Sequence, residues 1–171
     1  MACRFDRQLH VRAETGSLTD GMARIRTHID IDAPTPVVWR AIEHVESHVE
    51  WMNDAVAIRL TGRKRHGVGT TFECDTKVGP LRLTDRMAIT EWRPRRAMGV
   101  RHVGLVVGQG RFTLRRRRGG RTRFRWDERL TFPWFLGGPV GAVLAAPILK
   151  RIWRRNLANL KRLIEGDGIR D

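Results

Sequence analysis

Tyrosine is missing from this chain altogether, and cysteine occurs only twice, at Cys3 and Cys74. Two cysteines build neither a disulfide framework nor a four-ligand zinc site, so a reduced, cytoplasmic setting is expected. Carboxylates are scarce. Against 33 Lys and Arg stand only 18 Asp and Glu, which leaves a net charge of +15. That balance gives the surface a positive field. The opening residues, MACRFDRQLHVRAETGSLTDG, contain no continuous apolar run, so no secretory signal is expected there. No P-loop, dinucleotide fingerprint or Ser-His-Asp set occurs; GVGTTF and GQGRF are too short and sit in strand-like segments. No cofactor and no metal are expected. His44 and His48 are four residues apart, but HVESH lacks the HExxH order and no third ligand follows at a metal-site spacing, so solvated helix residues are the expectation.

What is present is enough for one core. The 171 residues are 41% hydrophobic and 30% charged, the balance of one globular domain. Residues 1–20 carry no pattern and are expected to form an arm, residues 21–166 the domain, and residues 167–171 a tail. From Met22 the chain alternates, with Ala23, Ile25, Thr27, Ile29 and Ile31 on one side and charged residues on the other, which predicts a half-buried strand. At DAPTP the period changes. Thr35 suits a helix cap and Pro36 a first turn, and Val38, Ile42, Val45, Val49 and Met52 follow at helical spacing. This predicts two short helices.

Six strand-like segments come next: 55–62, 68–77, 81–92, 97–104, 105–118 and 121–132. Gly119-Gly120 makes the last hairpin turn. After Pro133 the pattern changes for good. Residues 132–149 carry no charge, but Pro133, Pro139, Pro147 and Gly137-Gly138 make a regular membrane span poor, and a kinked entrance to a final helix is expected. KRIWRRNLANLKRLIE (150–165) is that helix, with an apolar stripe through Leu149, Ile152, Trp153, Asn156, Leu157, Leu160, Leu163 and Ile164. The expected fold is α+β: a curved antiparallel sheet of about seven strands, with the long C-terminal helix packed over it.

IDIDAPTPVVWRAIEHVESHVEW, with Ile29, Ile31, Ala33, Pro34, Val38 and Trp39, resembles the opening of START-like (SRPBCC) proteins of the polyketide cyclase/dehydrase kind. GVGTTFEC resembles their third strand and RNLANLKRLIE their terminal helix. The resemblance covers about residues 22–165 and implies the helix-grip fold with a deep cavity between sheet and terminal helix. The superfamily holds carriers, lipid-transfer modules and enzymes, so fold alone does not fix function.

The expected lining of such a cavity, taken chiefly from strand and helix periodicity, is Trp51, Met52, Phe72, Met87, His102, Phe112, Trp126, Leu130, Trp153 and Asn156. Asp85 and Glu128 sit on the apolar parity of otherwise clean strands. A buried carboxylate needs a partner, a proton or water, and a raised pKa would fit it for acid-base work. The alternatives are a structural pair with a pocket-facing Arg101 or His102, or strand ends that open to solvent. Outward parity collects Arg24, Arg26, Arg82, Arg86, Arg111, Arg115, Arg117, Arg121, Arg123, Arg125 and Arg129. That face carries no aromatics, which argues against nucleic acid, while peripheral contact with an anionic membrane stays open. A homodimer stays open too. The first expectation is binding of a hydrophobic small molecule or lipid. The second is a cyclase/dehydratase-like enzyme that uses Asp85 and Glu128 as acid and base. The third is an Arg-rich surface module.

Overall fold

The computed structural model describes residues 22–104 and 106–166. The arm expected over residues 1–20, Cys3 and the tail over residues 167–171 lie outside the described residues. Seven strands form one antiparallel sheet: β1 (Met22–Ile31), β2 (Ala55–Leu60), β3 (Thr71–Val78), β4 (Leu81–Arg93), β5 (Ala97–Val103), β6 (Val107–Arg116) and β7 (Thr122–Thr131). Their order is β1-β7-β6-β5-β4-β3-β2, so β2 to β7 follow one another by hairpins and β1 closes on β7. Between β1 and β2 lie helix α1 (Thr35–Arg40) and a 3-10 helix (Val45–Glu50). Helix α2 (Gly138–Gly166) ends the fold and packs mainly over β1.

The alternation read from the sequence is the alternation of burial. Along β7, Thr122, Phe124, Trp126, Glu128 and Leu130 are buried, and Arg129 and Thr131 are exposed. Ile89 is buried on the parity of Asp85 and Met87; a bulge between Ile89 and Glu91 then resets the parity of β4, and Trp92 turns inward against Trp39, with ring centroids 5.1 Å apart.

Three local expectations need correction. Helix α1 is capped by Pro34, with Thr35 already inside it and no side-chain cap bond. Val49 is exposed, because its turn is 3-10 and not α-helical, which rotates it off the apolar stripe. The final helix starts at Gly138, a dozen residues earlier than expected, and runs for 29 residues with Pro147 inside it. Pro139 falls in its first turn, where a missing N–H is tolerated, and Pro147 removes one interior hydrogen bond without ending a run of Ala, Val and Leu.

The second half of α2 is pinned. Asn156 accepts the Asn53 N–H at 3.0 Å and donates to Asp54 Oδ1 at 2.6 Å. Asn159 donates to the Trp51 carbonyl at 3.1 Å, and Lys161 donates to the Asp30 carbonyl at 2.7 Å. Trp153, Leu157, Leu160 and Ile164 are buried against the sheet.

Candidate functional site

The space between the sheet and α2 has a solid end and a hollow end. At the solid end Trp51 is fully buried among Phe112, Phe124 and Trp126, with ring centroids 6.1–6.5 Å away. His48 packs against Trp51 with the rings tilted by 54° and centroids 5.1 Å apart, and its Nε2 pairs with the Ile42 carbonyl at 2.8 Å. Burial pushes the His48 pKa down to about 4, so the ring is neutral and donates to that carbonyl. The expectation of solvated helix histidines is therefore wrong for His48: it is a core residue that braces the turn before the 3-10 helix.

At the hollow end is a cavity of about 250 Å³. Its walls are chiefly apolar, from Met52, Leu83, Met87, Leu130, Leu149 and Trp153. Phe72, Trp51, Phe112, Trp126 and Asn156, also expected to line it, do not. The first four belong to the packed core, and Asn156 is spent on holding α2 to Asn53 and Asp54.

The charged groups of the lining are led by a trio. His102 lies between Asp85 and Glu128, with Nδ1 2.5 Å from Asp85 Oδ2 and Nε2 2.8 Å from Glu128 Oε1. Trp126 Nε1 donates to the other Glu128 oxygen. All three residues of this trio line the cavity, and Asp85 and Glu128 are buried. The strands explain how they meet. Asp85 is on β4, His102 on β5 and Glu128 on β7, so the imidazole must cross β6, and strands two apart are separated by roughly 9–10 Å. On β6 the residues opposite His102 and Glu128 are Gly108 and Gly110, so nothing stands in the way.

Each carboxylate also rests against a glycine. A Cβ at Gly110 would lie 2.7 Å from Glu128 Oε1, and one at Gly104 would collide with Asp85 Oδ1. That Asp85 oxygen is buried and has no hydrogen-bond partner among the described residues.

Burial alone would lower the His102 pKa. Hydrogen bonds and charge attraction from Asp85 and Glu128 outweigh it and raise the pKa to about 9. At neutral pH both ring nitrogens are donors. Of the two partners weighed for the carboxylates, the structure therefore supplies His102; Arg101 is exposed on the outer face, because it has the opposite parity.

Three further polar residues line the cavity: Asp54, Cys74 and Thr76. Asp54 has its pKa raised by burial, against the Asn156 bond. Cys74 has its thiol pushed by burial to about 11, which keeps it protonated and a poor nucleophile. Asp54 sits in an aperiodic loop and gives no sequence signal. Cys74 shares the parity of Phe72, a signal that could have found it.

The outward arginines are where parity places them, but many are engaged. Asp127 binds Arg26 at 2.6 Å and Arg125 at 2.7 Å, Glu91 binds Arg111 at 2.6 Å, and Asp30 binds Arg123 at 2.7 Å. No described helix is long and apolar enough to cross a membrane.

Residues 22–165 match the family described as polyketide cyclase / dehydrase and lipid transport. Among curated proteins none matches the sequence. Several solved structures are similar in fold. The protein TTHA0849 from Thermus thermophilus superposes with a TM-score of 0.71 at 16% identity, over 85% of this chain and 99% of that one. The di-domain aromatase/cyclase StfQ of the steffimycin biosynthetic pathway gives 0.71 at 12% identity, over 86% of this chain and 52% of its own. The ZhuI aromatase/cyclase from Streptomyces sp. R1128 gives 0.65 at 13% identity, over 85% and 93%. At such identities the likeness establishes a shared helix-grip architecture.

Proposed function

Since this chain belongs to the polyketide cyclase / dehydrase and lipid transport family, we propose that its cavity binds a small, mostly apolar molecule whose polar end meets Asp85, His102 and Glu128. The observation that carries this reading is the make-up of the cavity: mostly apolar walls, with a buried carboxylate–imidazole–carboxylate trio fixed in its lining. Apolar burial supplies affinity, and the few fixed polar groups supply orientation. Titration with a fluorescent apolar probe tests it. Uptake by the wild type and loss of uptake in Leu149→Trp, which fills the cavity, are expected. A wild type that takes up no probe, or a variant that binds as well, overturns it.

A second reading is favoured by the position of the His102 proton, held between two carboxylates at neutral pH. In a dehydration, Glu128 would take a proton from the carbon next to a carbonyl. The C–H electron pair would form the carbon–carbon double bond as the carbon–oxygen bond of a β-hydroxyl breaks, and the His102 Nε2–H, released from the now protonated Glu128, would pass to the departing oxygen to give water. The proton on Glu128 then returns to His102 across their hydrogen bond, so the site is restored. Asp85→Asn and Glu128→Gln are expected to slow water loss from a small β-hydroxy ketone by roughly 10²-fold or more while probe binding stays. Unchanged turnover in both variants removes this reading and leaves the binding one standing.

A further inference from the structure

The first half of α2 leaves large apolar side chains in water. Val140 is 68% exposed, Val143 68%, Leu144 69% and Ile148 57%. With 3.6 residues per turn they form one stripe along the exposed side of α2, with Ile148 at its edge beside the cavity. Just before the helix, Trp134 is 86% exposed and Phe135 54%, their rings edge to face at 5.8 Å. A soluble surface rarely leaves so many large apolar groups together without a partner.

The stripe continues along the same face and changes character. After Ile148 it runs on through Arg151, Arg154 and Arg155, with Lys150 at its edge, all exposed. Between Glu128 and Glu165 the sequence has no acidic residue. Among the described residues none of these four cations is ion-paired, in contrast to the paired arginines of the outer sheet face. The apolar half also borders the cavity: Ile148 and Leu81, both exposed, belong to its lining and mark the side on which it opens.

We propose that this face of α2, with Trp134 and Phe135, docks on the surface of an anionic bilayer. The apolar half sinks into the acyl boundary, and Lys150, Arg151, Arg154 and Arg155 meet the anionic headgroups. The charge pattern selects this occupant over a second copy of the chain, because the same face of a second α2 has no acidic residue to offer these cations, whereas anionic headgroups do. Docking in this pose places the cavity mouth at the lipid surface. The proposal does not depend on what the cavity binds.

Co-sedimentation with vesicles of phosphatidylcholine, with and without phosphatidylglycerol, tests it on the full chain. The wild type is expected to bind the anionic vesicles, with a blue shift of Trp134 fluorescence that Trp134→Phe removes. Trp134→Ser with Leu144→Ser should weaken binding roughly ten-fold or more. Replacement of Lys150, Arg151, Arg154 and Arg155 by Gln should weaken it as much and abolish the preference for anionic lipid. Arg115→Ser with Arg117→Ser, on the outer sheet face, should change little. All these side chains are exposed, so the variants should fold, which circular dichroism checks. Absence of vesicle binding overturns the proposal, as does full binding by the Trp134/Leu144 variant. A wild-type dimer that this variant splits also overturns it, because the face is then a self-interface.

Discussion

On the outer face of the sheet, Asp30, Glu91 and Asp127 are bound to arginines within reach of solvent. On the inner face, Asp85 and Glu128 share a single histidine and almost no water reaches them. The outer carboxylates have their pKa values lowered: Asp30 and Glu91 chiefly by the hydrogen bonds from Arg123 and Arg111, and Asp127 by bonds from Arg125 and Arg26 that outweigh its burial. Solvent screens each of those pairs, and breaking one exposes its partner to water. Inside, the same chemistry is exclusive. His102 is held as a donor to both neighbours, and no bulk water stands ready to replace a lost partner. A chain with a net charge of +15 thus keeps Lys and Arg out of its cavity lining and gathers three carboxylates there.

The widest gap between the two faces should appear when one partner is removed. Glu128→Leu strands the His102 N–H and the Trp126 Nε1–H together, and is expected to cost about 3–5 kcal/mol in urea unfolding. Replacing Asp85, His102 and Glu128 all by Leu should recover most of that loss, since no charge is then left buried alone. If the single variant costs as little as a surface change, the trio is not dry.

A second contrast lies in pH. Unfolded, His102 titrates near 6.5; folded, near 9. The folded state therefore binds its proton more tightly, and the stability this supplies is complete below pH 6.5 and gone above pH 9. The loss across that window is expected to be on the order of 3 kcal/mol. The outer carboxylates cannot contribute there, because depressed pKa values act only where acid protonates them. The urea midpoint should thus fall between pH 6.5 and pH 9 in the wild type and stay nearly flat in His102→Gln. His48, kept neutral with a pKa of about 4, gives an opposite loss as pH falls from 6.5 to 4.

The smallest effect belongs to the outer face. Asp127→Asn breaks its bonds to Arg26 and Arg125 and should cost no more than about 1 kcal/mol, a difference that shrinks with added salt. A large, salt-insensitive cost would erase the distinction between the faces.

Much of this contrast is legible in the sequence, because a two-residue period assigns every side chain of a strand to a face. Parity alone puts Asp85 and Glu128 inside and the arginines outside. It does not choose between His102 and Arg101, since both stand near the end of a short segment with few apolar neighbours to set its phase. Parity also fails where the chain bulges, as between Ile89 and Glu91, which is why the inward turn of Trp92 is not foreseeable from spacing. Asp54 lies in a loop without a period. The division of the interior into a solid and a hollow end depends on how Trp51, Phe112, Phe124 and Trp126 interlock, and no spacing encodes that. The early start of α2 is hidden because prolines read as breaks, whereas a long helix can absorb one lost bond.

The bare inward positions of β6 carry a consequence for relatives of this chain. A bridge that spans three strands exists only while the strand beneath it stays empty. Any homologue with a side chain at the counterpart of Gly110 must surrender the contact or move the acid, even if it retains Asp85, His102 and Glu128. Two letters with nothing attached are therefore as good a fingerprint of this arrangement as the three that carry charge.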